Sequence, residues 1–191
     1  MTATTFTPGP NTALSTTLAV NHGLRGALRF VSAVPIGWLL MLGITLAGLG
    51  PLVNGDPTLQ QAIRVVGCTY LVWLAWQLAK STGPKLAQTQ TLQVGFIQGV
   101  MLQFLNIKAW MFCFTLTSGW LTAHDDWLER TFVVATAMAV FGFASNLTYA
   151  SIGAVLREWL SGPNHSHQRL RRFNQIMASV LLVTALWLIQ G

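Results

Sequence analysis

Long apolar runs separated by short polar connections divide the chain into six segments. They cover about Asn11–Val20, Ala27–Val53, Gln61–Leu78, Phe96–Trp120, Thr131–Leu156 and Phe173–Gln190. A helix needs about 20 apolar residues to cross the hydrocarbon of a bilayer. The first segment has only half of that: ten residues at about 1.5 Å each span about 15 Å. It follows Thr7-Pro8-Gly9-Pro10, which cannot be regular helix, because proline lacks the donor and restricts its predecessor. Asn11 or Thr12 can cap the helix that follows, and Asn21-His22-Gly23 closes it. The second segment carries Pro35, expected to kink it, and several glycines that let transmembrane helices approach closely. Asn54-Gly55-Asp56-Pro57 reads as a turn.

The fourth segment holds the most unusual residue. Lys108, next but one to Asn106, is the only charge between Phe96 and Leu116. A charge near mid-bilayer costs about 2.5–3.5 kcal/mol on insertion scales and by default marks a functional position. Segment one is interrupted at Pro8, Gly9 and Pro10, and segment four at Asn106-Ile107-Lys108. Six segments divide into three plus three, and the two interruptions then occupy matching places. That pattern points to the binding site of a transporter built as an inverted repeat. A helix N-terminus at Asn11 would offer free backbone donors to an anion.

Composition supports a membrane protein. The chain of 191 residues is 52% hydrophobic and 8% charged, whereas soluble domains carry about 25% charged residues. Its net charge of +6 does not point to nucleic acid. The basic residues are scattered through connections rather than gathered on one face. They sort by side instead. Connections one, three and five carry Arg25, Arg29, Lys80, Lys85, Arg157, Arg169, Arg171 and Arg172, while connection four is acidic. The positive-inside rule places the odd connections in the cytoplasm and both termini outside. No cleavable signal peptide is evident in Met1–Pro10, so the chain is expected to be targeted by its own spans. No metal-ligand spacing and no cofactor motif stand out.

Several stretches resemble one family. Phe6-Thr7-Pro8-Gly9-Pro10-Asn11, His22-Gly23-Leu24-Arg25, the run Val66 to Trp76, and Leu102-Gln103-Phe104-Leu105-Asn106-Ile107-Lys108 are similar to motifs of the lysine-exporter-type (LysE/RhtB) amino-acid exporters. The Leu-Gln-Phe-x-Asn-x-Lys and Tyr-x-x-Trp-Leu-Ala-Trp runs look most like the cysteine/O-acetylserine exporters. The resemblance covers nearly the whole chain as one transporter domain, residues 1–191. It implies a multi-pass protein of the bacterial inner membrane that exports small neutral amino acids with proton coupling, and no enzyme. Three departures stand out. Ile107 replaces the proline that most relatives carry there, which favours a continuous fourth helix. Pro35 falls where relatives tend to be glycine-rich. Only seven residues precede Pro8, which implies a truncated start or a half-length first span.

The candidate substrate-binding residues are Asn11, Asn106, Lys108, Asn146 and Tyr149. Lys108 serves either as counter-charge to a substrate carboxylate or as a titrating group, or else it ties a helix bend to backbone carbonyls. Asn11 and Asn106 bind substrate or cap broken ends. Asn146 and Tyr149 share one helix face and line a cavity or bond between helices. Gln98 and Gln103 are weaker candidates for the same role. No Asp or Glu lies within an apolar segment. The substrate ammonium is therefore left to carbonyls, amides or the faces of Trp110 and Tyr70, which suits a small zwitterion better than a dibasic amino acid. The alternatives are homoserine or threonine export, a thiol-redox protein using Cys68 and Cys113, and a non-transporting membrane subunit. Neither cysteine has a Cys-x-x-Cys neighbour or an electropositive setting. The Gly43 and Ala47 face suits a homodimer or packing within the chain equally.

Overall fold

The protein was analysed as a computed structural model that describes residues 9–81, 94–160 and 167–190. All regular structure among the described residues is helical. Helix α1 spans Pro10–Ile44, followed by a π-helical turn at Thr45–Leu49 and short α2, Gly50–Gly55. Then come α3 (Pro57–Lys80), α4 (Phe96–Phe104), α5 (Ile107–Leu116) with a π-helical end at Thr117–Leu121, α6 (Trp127–Leu160) and α7 (His167–Gln190). Four of these stretches are long and apolar enough to cross a membrane among the described residues, and the bent pair α4–α5 makes a fifth.

The first of the four, Pro10–Gly55, is not one straight rod. Gly23 sits inside α1 at φ 76°, ψ 170°, a region essentially reserved for glycine. Contacts on both sides show that the chain reverses there. Ser15 bonds Asn146, and the Thr16 backbone lies against Gly153. Gly23 meets Arg157, and Pro35 lies back beside Gly142. Residues 10–22 therefore run parallel to α6, and residues 24–44 run antiparallel to it. Likewise Asn11 and Trp38, at opposite ends of this excursion, both reach Gln103. The first arm has 13 residues, about 20 Å, short of the about 30 Å of hydrocarbon. Gly23 closes this first arm, at the Asn21-His22-Gly23 signal.

The first arm is the centre of the bundle. Every residue from 12 to 21 is buried, although Thr12, Ser15, Thr16, Thr17 and Asn21 are polar. The second arm stays helical through Pro35, and Gly23 is the only residue in α1 with non-helical dihedrals. The turn expected over Asn54–Pro57 narrows to Asp56, because Asn54 and Gly55 end the short helix α2: Asp56 caps α3 by accepting from the Thr58 and Leu59 amides at 2.8 and 3.2 Å, and Pro57 takes the first helical position. α7 begins at His167, six residues before the sequence expectation. α3 and α7 pack antiparallel, with the Cys68 thiol on the Ala185 carbonyl and Ser81 beside Asn174.

Arg157 lies against Gly23, next to Arg25, while Ser81 follows Lys80 and meets Asn174, just after Arg172. The fold thus gathers the basic ends of the odd connections at one end of the bundle. Lys85 lies outside the described residues.

Candidate functional site

The fourth span is broken despite the absence of proline. α4 ends at Phe104, Leu105 forms a turn, and Asn106 is extended at φ −98°, ψ 95°. The two pieces, Phe96–Phe104 and Ala109–Leu121, meet at 69°. The interruption read at Asn106-Ile107-Lys108 is present, and the continuity that Ile107 favours does not arise, because other groups satisfy the freed backbone. The Asn106 amide donates to the Gln103 carbonyl at 3.0 Å, and the Asn106 carbonyl accepts from Ala109 at 2.9 Å. The Trp110 indole donates to the Phe104 carbonyl at 2.9 Å, and its ring packs edge-on to Phe104. A bend whose orphan carbonyl is taken by a buried indole needs no proline. Gly67 completes the arrangement: a Cβ there would overlap the Leu105 carbonyl, so only glycine lets α3 approach the break this closely.

A cavity of about 80 Å³ lies at this break. Pro10 and Asn11 form one wall, Leu102, Leu105 and Asn106 another, and Gly67, Leu71, Thr184, Trp187 and Leu188 close it. Asn11 and Asn106, 95 positions apart, thus face one space. So do two helix starts. Gly9 caps α1, its amide donating to Thr12 Oγ1 at 2.9 Å, with Pro10 at the first helical position. Asn106 precedes α5 and makes no capping bond with its side chain. The first-turn amides of a helix have no intrahelical acceptor, and its positive end favours an anion.

Asn11 is not a loose side chain. Its Nδ2 donates to Gln103 Oε1 at 2.9 Å, and its Oδ1 accepts from Gln103 Nε2 at 3.1 Å. Gln103 is fully buried. It also accepts from the Trp38 indole at 3.1 Å and donates to the Gly99 carbonyl at 3.0 Å. Gly37 packs on its side chain. Gln103 was only a weak candidate from the sequence, because an amide in an apolar run does not reveal its partner.

The other candidates fall differently. Lys108 occupies the first turn of α5, and its side chain lies outside the described part of the structure, as does Pro8. Asn146 lies at the contact of α1 and α6: it accepts from Ser15 Oγ at 2.9 Å and donates to the Gly142 carbonyl at 2.8 Å. The Tyr149 carbonyl accepts from Thr16 Oγ1 at 3.2 Å. Neither is among the residues lining the cavity. Trp110 is buried and engaged at the break, and Tyr70 stacks on Trp73. Cys68 and Cys113 are buried free thiols. Among the described residues no group of His, Cys, Asp and Glu could hold a metal.

Apolar helices around a buried arm rich in polar residues, with a small cavity where two helix starts meet, define a multi-pass α-helical membrane protein. The family is established by comparison: the LysE type translocator model matches residues 2–191, and the chain belongs to that family. It is 31% identical over 190 residues to a cysteine/O-acetylserine efflux protein of Klebsiella pneumoniae, covering 95% of this chain and 89% of that one. A protein of the same description from Escherichia coli O1:K1 is 30% identical over 188 residues, covering 95% of this chain and 90% of that one. One from Salmonella typhi is 29% identical over 188 residues with the same coverage. No solved structure matches the chain. As a family member with several apolar spans, it is a multi-pass protein of the bacterial inner membrane.

Proposed function

We propose that the chain exports cysteine, O-acetylserine or a closely similar small neutral amino acid, acting as a carrier and not as an enzyme. One observation carries the reading: Asn11 and Asn106, each at the start of a helix, face the same small cavity. The substrate carboxylate sits at these two helix starts, where unpaired amides and the positive helix ends attract it. Lys108, in the first turn of α5, supplies counter-charge. The ammonium is held by backbone carbonyls and the face of Trp187, which lines the cavity. The relatives' description as cysteine/O-acetylserine efflux proteins supports the substrate class.

The two arms of α1 count as two segments and the bent α4–α5 pair as one. The chain then has six segments in a three-plus-three arrangement, with a break in the first of each half. Export proceeds by moving one half against the other, coupled to protons. Homoserine or threonine is the runner-up substrate.

The test is efflux from cells loaded with labelled cysteine, O-acetylserine or homoserine, with wild type and Lys108→Ala compared at matched membrane expression. Export of one compound by wild type and its loss in the variant support the reading. Equal export by both removes Lys108 from the site. No export by wild type overturns the reading.

A further inference from the structure

A second polar cluster lies at the opposite end of the first arm. Asn21 Nδ2 donates to Asn174 Oδ1 at 3.0 Å, and Asn174 Nδ2 donates back to Asn21 Oδ1 at 3.2 Å. Asn21 also donates to the Thr17 carbonyl, and Asn174 to the Ser81 carbonyl. Both amides are nearly inaccessible, Asn21 at 4% and Asn174 at 0% exposure. Beside them sit two hydroxyls just as buried, Thr17 at 1% and Ser81 at 0%. Neither has a hydrogen-bond partner among the described residues. Leaving such a group unpaired costs about 1–3 kcal/mol, and here two residues bonded to the amide pair through their carbonyls each carry a hydroxyl that calls for a partner.

The position of the cluster suggests what that partner is. Asn11 at the pocket and Asn21 here are ten residues apart on one helix, about 15 Å. Between them the arm is wholly buried and carries Ser15, Thr16 and Thr17. Its far end lies where the basic connections gather, the cytoplasmic end by loop charge. A solute leaving the cell must reach the pocket from that end.

We propose that Thr17, Asn21, Ser81 and Asn174 form a second substrate station, at the cytoplasmic end, which takes the polar groups of the exported amino acid before it reaches the pocket. This rests on the export reading above. The two reciprocal amide pairs, Asn11–Gln103 and Asn21–Asn174, then mark the two ends of one polar path along the first arm. The hydroxyls of Thr17 and Ser81 donate to the substrate carboxylate, and the amide oxygens accept from its ammonium.

The test places single cysteines in the full chain lacking Cys68 and Cys113. Ser81→Cys probes the station and Leu105→Cys the pocket. Inside-out vesicles are treated with aminoethyl methanethiosulfonate, with and without O-acetylserine, and efflux of O-acetylserine is measured in cells carrying the same chains. Cys at 81 is expected to react. At about ten times its half-saturating concentration, O-acetylserine should slow that reaction about tenfold, as mass action requires of a ligand filling the same space. Asn174→Leu is expected to raise the half-saturating concentration for efflux while the protein still inserts. Protection at 105 but none at 81, or no reaction at 81, overturns the station and leaves export standing. No protection at either position, together with no efflux by wild type, overturns the export reading itself.

Discussion

Asn11 and Gln103, 92 positions apart, exchange two side-chain hydrogen bonds, at 2.9 and 3.1 Å. The pair fastens the start of the first arm to the last turn of α4, beside the break. It also uses both polar ends of the Asn11 amide, so the wall of the cavity is fixed in place before a substrate arrives. Gln103→Leu fills similar space but leaves Asn11 and the Trp38 indole without their partner. A buried group so orphaned costs about 1–3 kcal/mol, which corresponds to about a fivefold to hundredfold weaker half-saturation. Efflux measured against substrate concentration should show that rise at matched membrane expression. An unchanged half-saturation would mean that the amide pair only holds helices together.

Gly67 gives a steric prediction. Its Cβ position is occupied by the Leu105 carbonyl, and that of Gly153 by the Thr16 backbone. Backbone cannot step aside as a flexible side chain can, so Gly67→Ala and Gly153→Ala should each destabilise by about 1–3 kcal/mol. Gly43 has nothing within 4 Å of its Cβ position and lies inside α1. Gly43→Ala should be neutral or stabilise by up to about 1 kcal/mol through helix propensity. Thermal unfolding of the purified proteins in detergent distinguishes the two groups. A stable Gly67→Ala protein would show that α3 is not held against the break.

What the sequence revealed and what it hid follow from how far apart the interacting residues lie. The two ends of the first arm were legible because Pro8-Gly9-Pro10 and Asn21-His22-Gly23 are local signals. Asn106 was legible as a polar residue at a charged interruption. The break was legible there too, although Ile107 in place of proline pointed the other way. What supports it is the Trp110 indole on Phe104 and the glycine at 67, the second of which no short window contains. Spacing puts Asn146 and Tyr149 on one helix face, but whether that face meets a cavity or the first arm depends on packing. The Asn21–Asn174 pair spans 153 positions and had no signal beyond two amides near segment ends.

The acidic connection should respond to pH without touching transport. The Arg130 side chain, 2.6 Å from Asp126, holds the Asp126 carboxyl below its ordinary value through their hydrogen bond. A carboxylate with a depressed folded pKa stabilises the fold above its unfolded pKa, and that contribution is lost as pH falls through the folded pKa. The pair is exposed, so its effect is small and is screened by salt. Asp126→Asn should leave efflux unchanged and remove the acid-induced loosening of the first turn of α6 seen by hydrogen exchange. Loss of efflux in this variant would place the acidic connection in the transport path.

The cysteines separate carriage from redox chemistry. Cys113 is fully buried, and Cys68 donates its thiol to the Ala185 carbonyl at 3.3 Å across the α3–α7 contact. In Cys68→Ser the hydroxyl can make the same bond, and a serine at 113 is close to cysteine in size but adds a buried hydroxyl at a modest cost. The double variant should therefore reach the membrane and export at near the wild-type rate. A redox mechanism needs a thiolate that attacks or is attacked, and serine abolishes it. Efflux by the double variant at matched expression decides between the two. Retained export leaves the thiols as packing, whereas complete loss in a protein that still inserts and unfolds at the wild-type temperature would make them part of the chemistry.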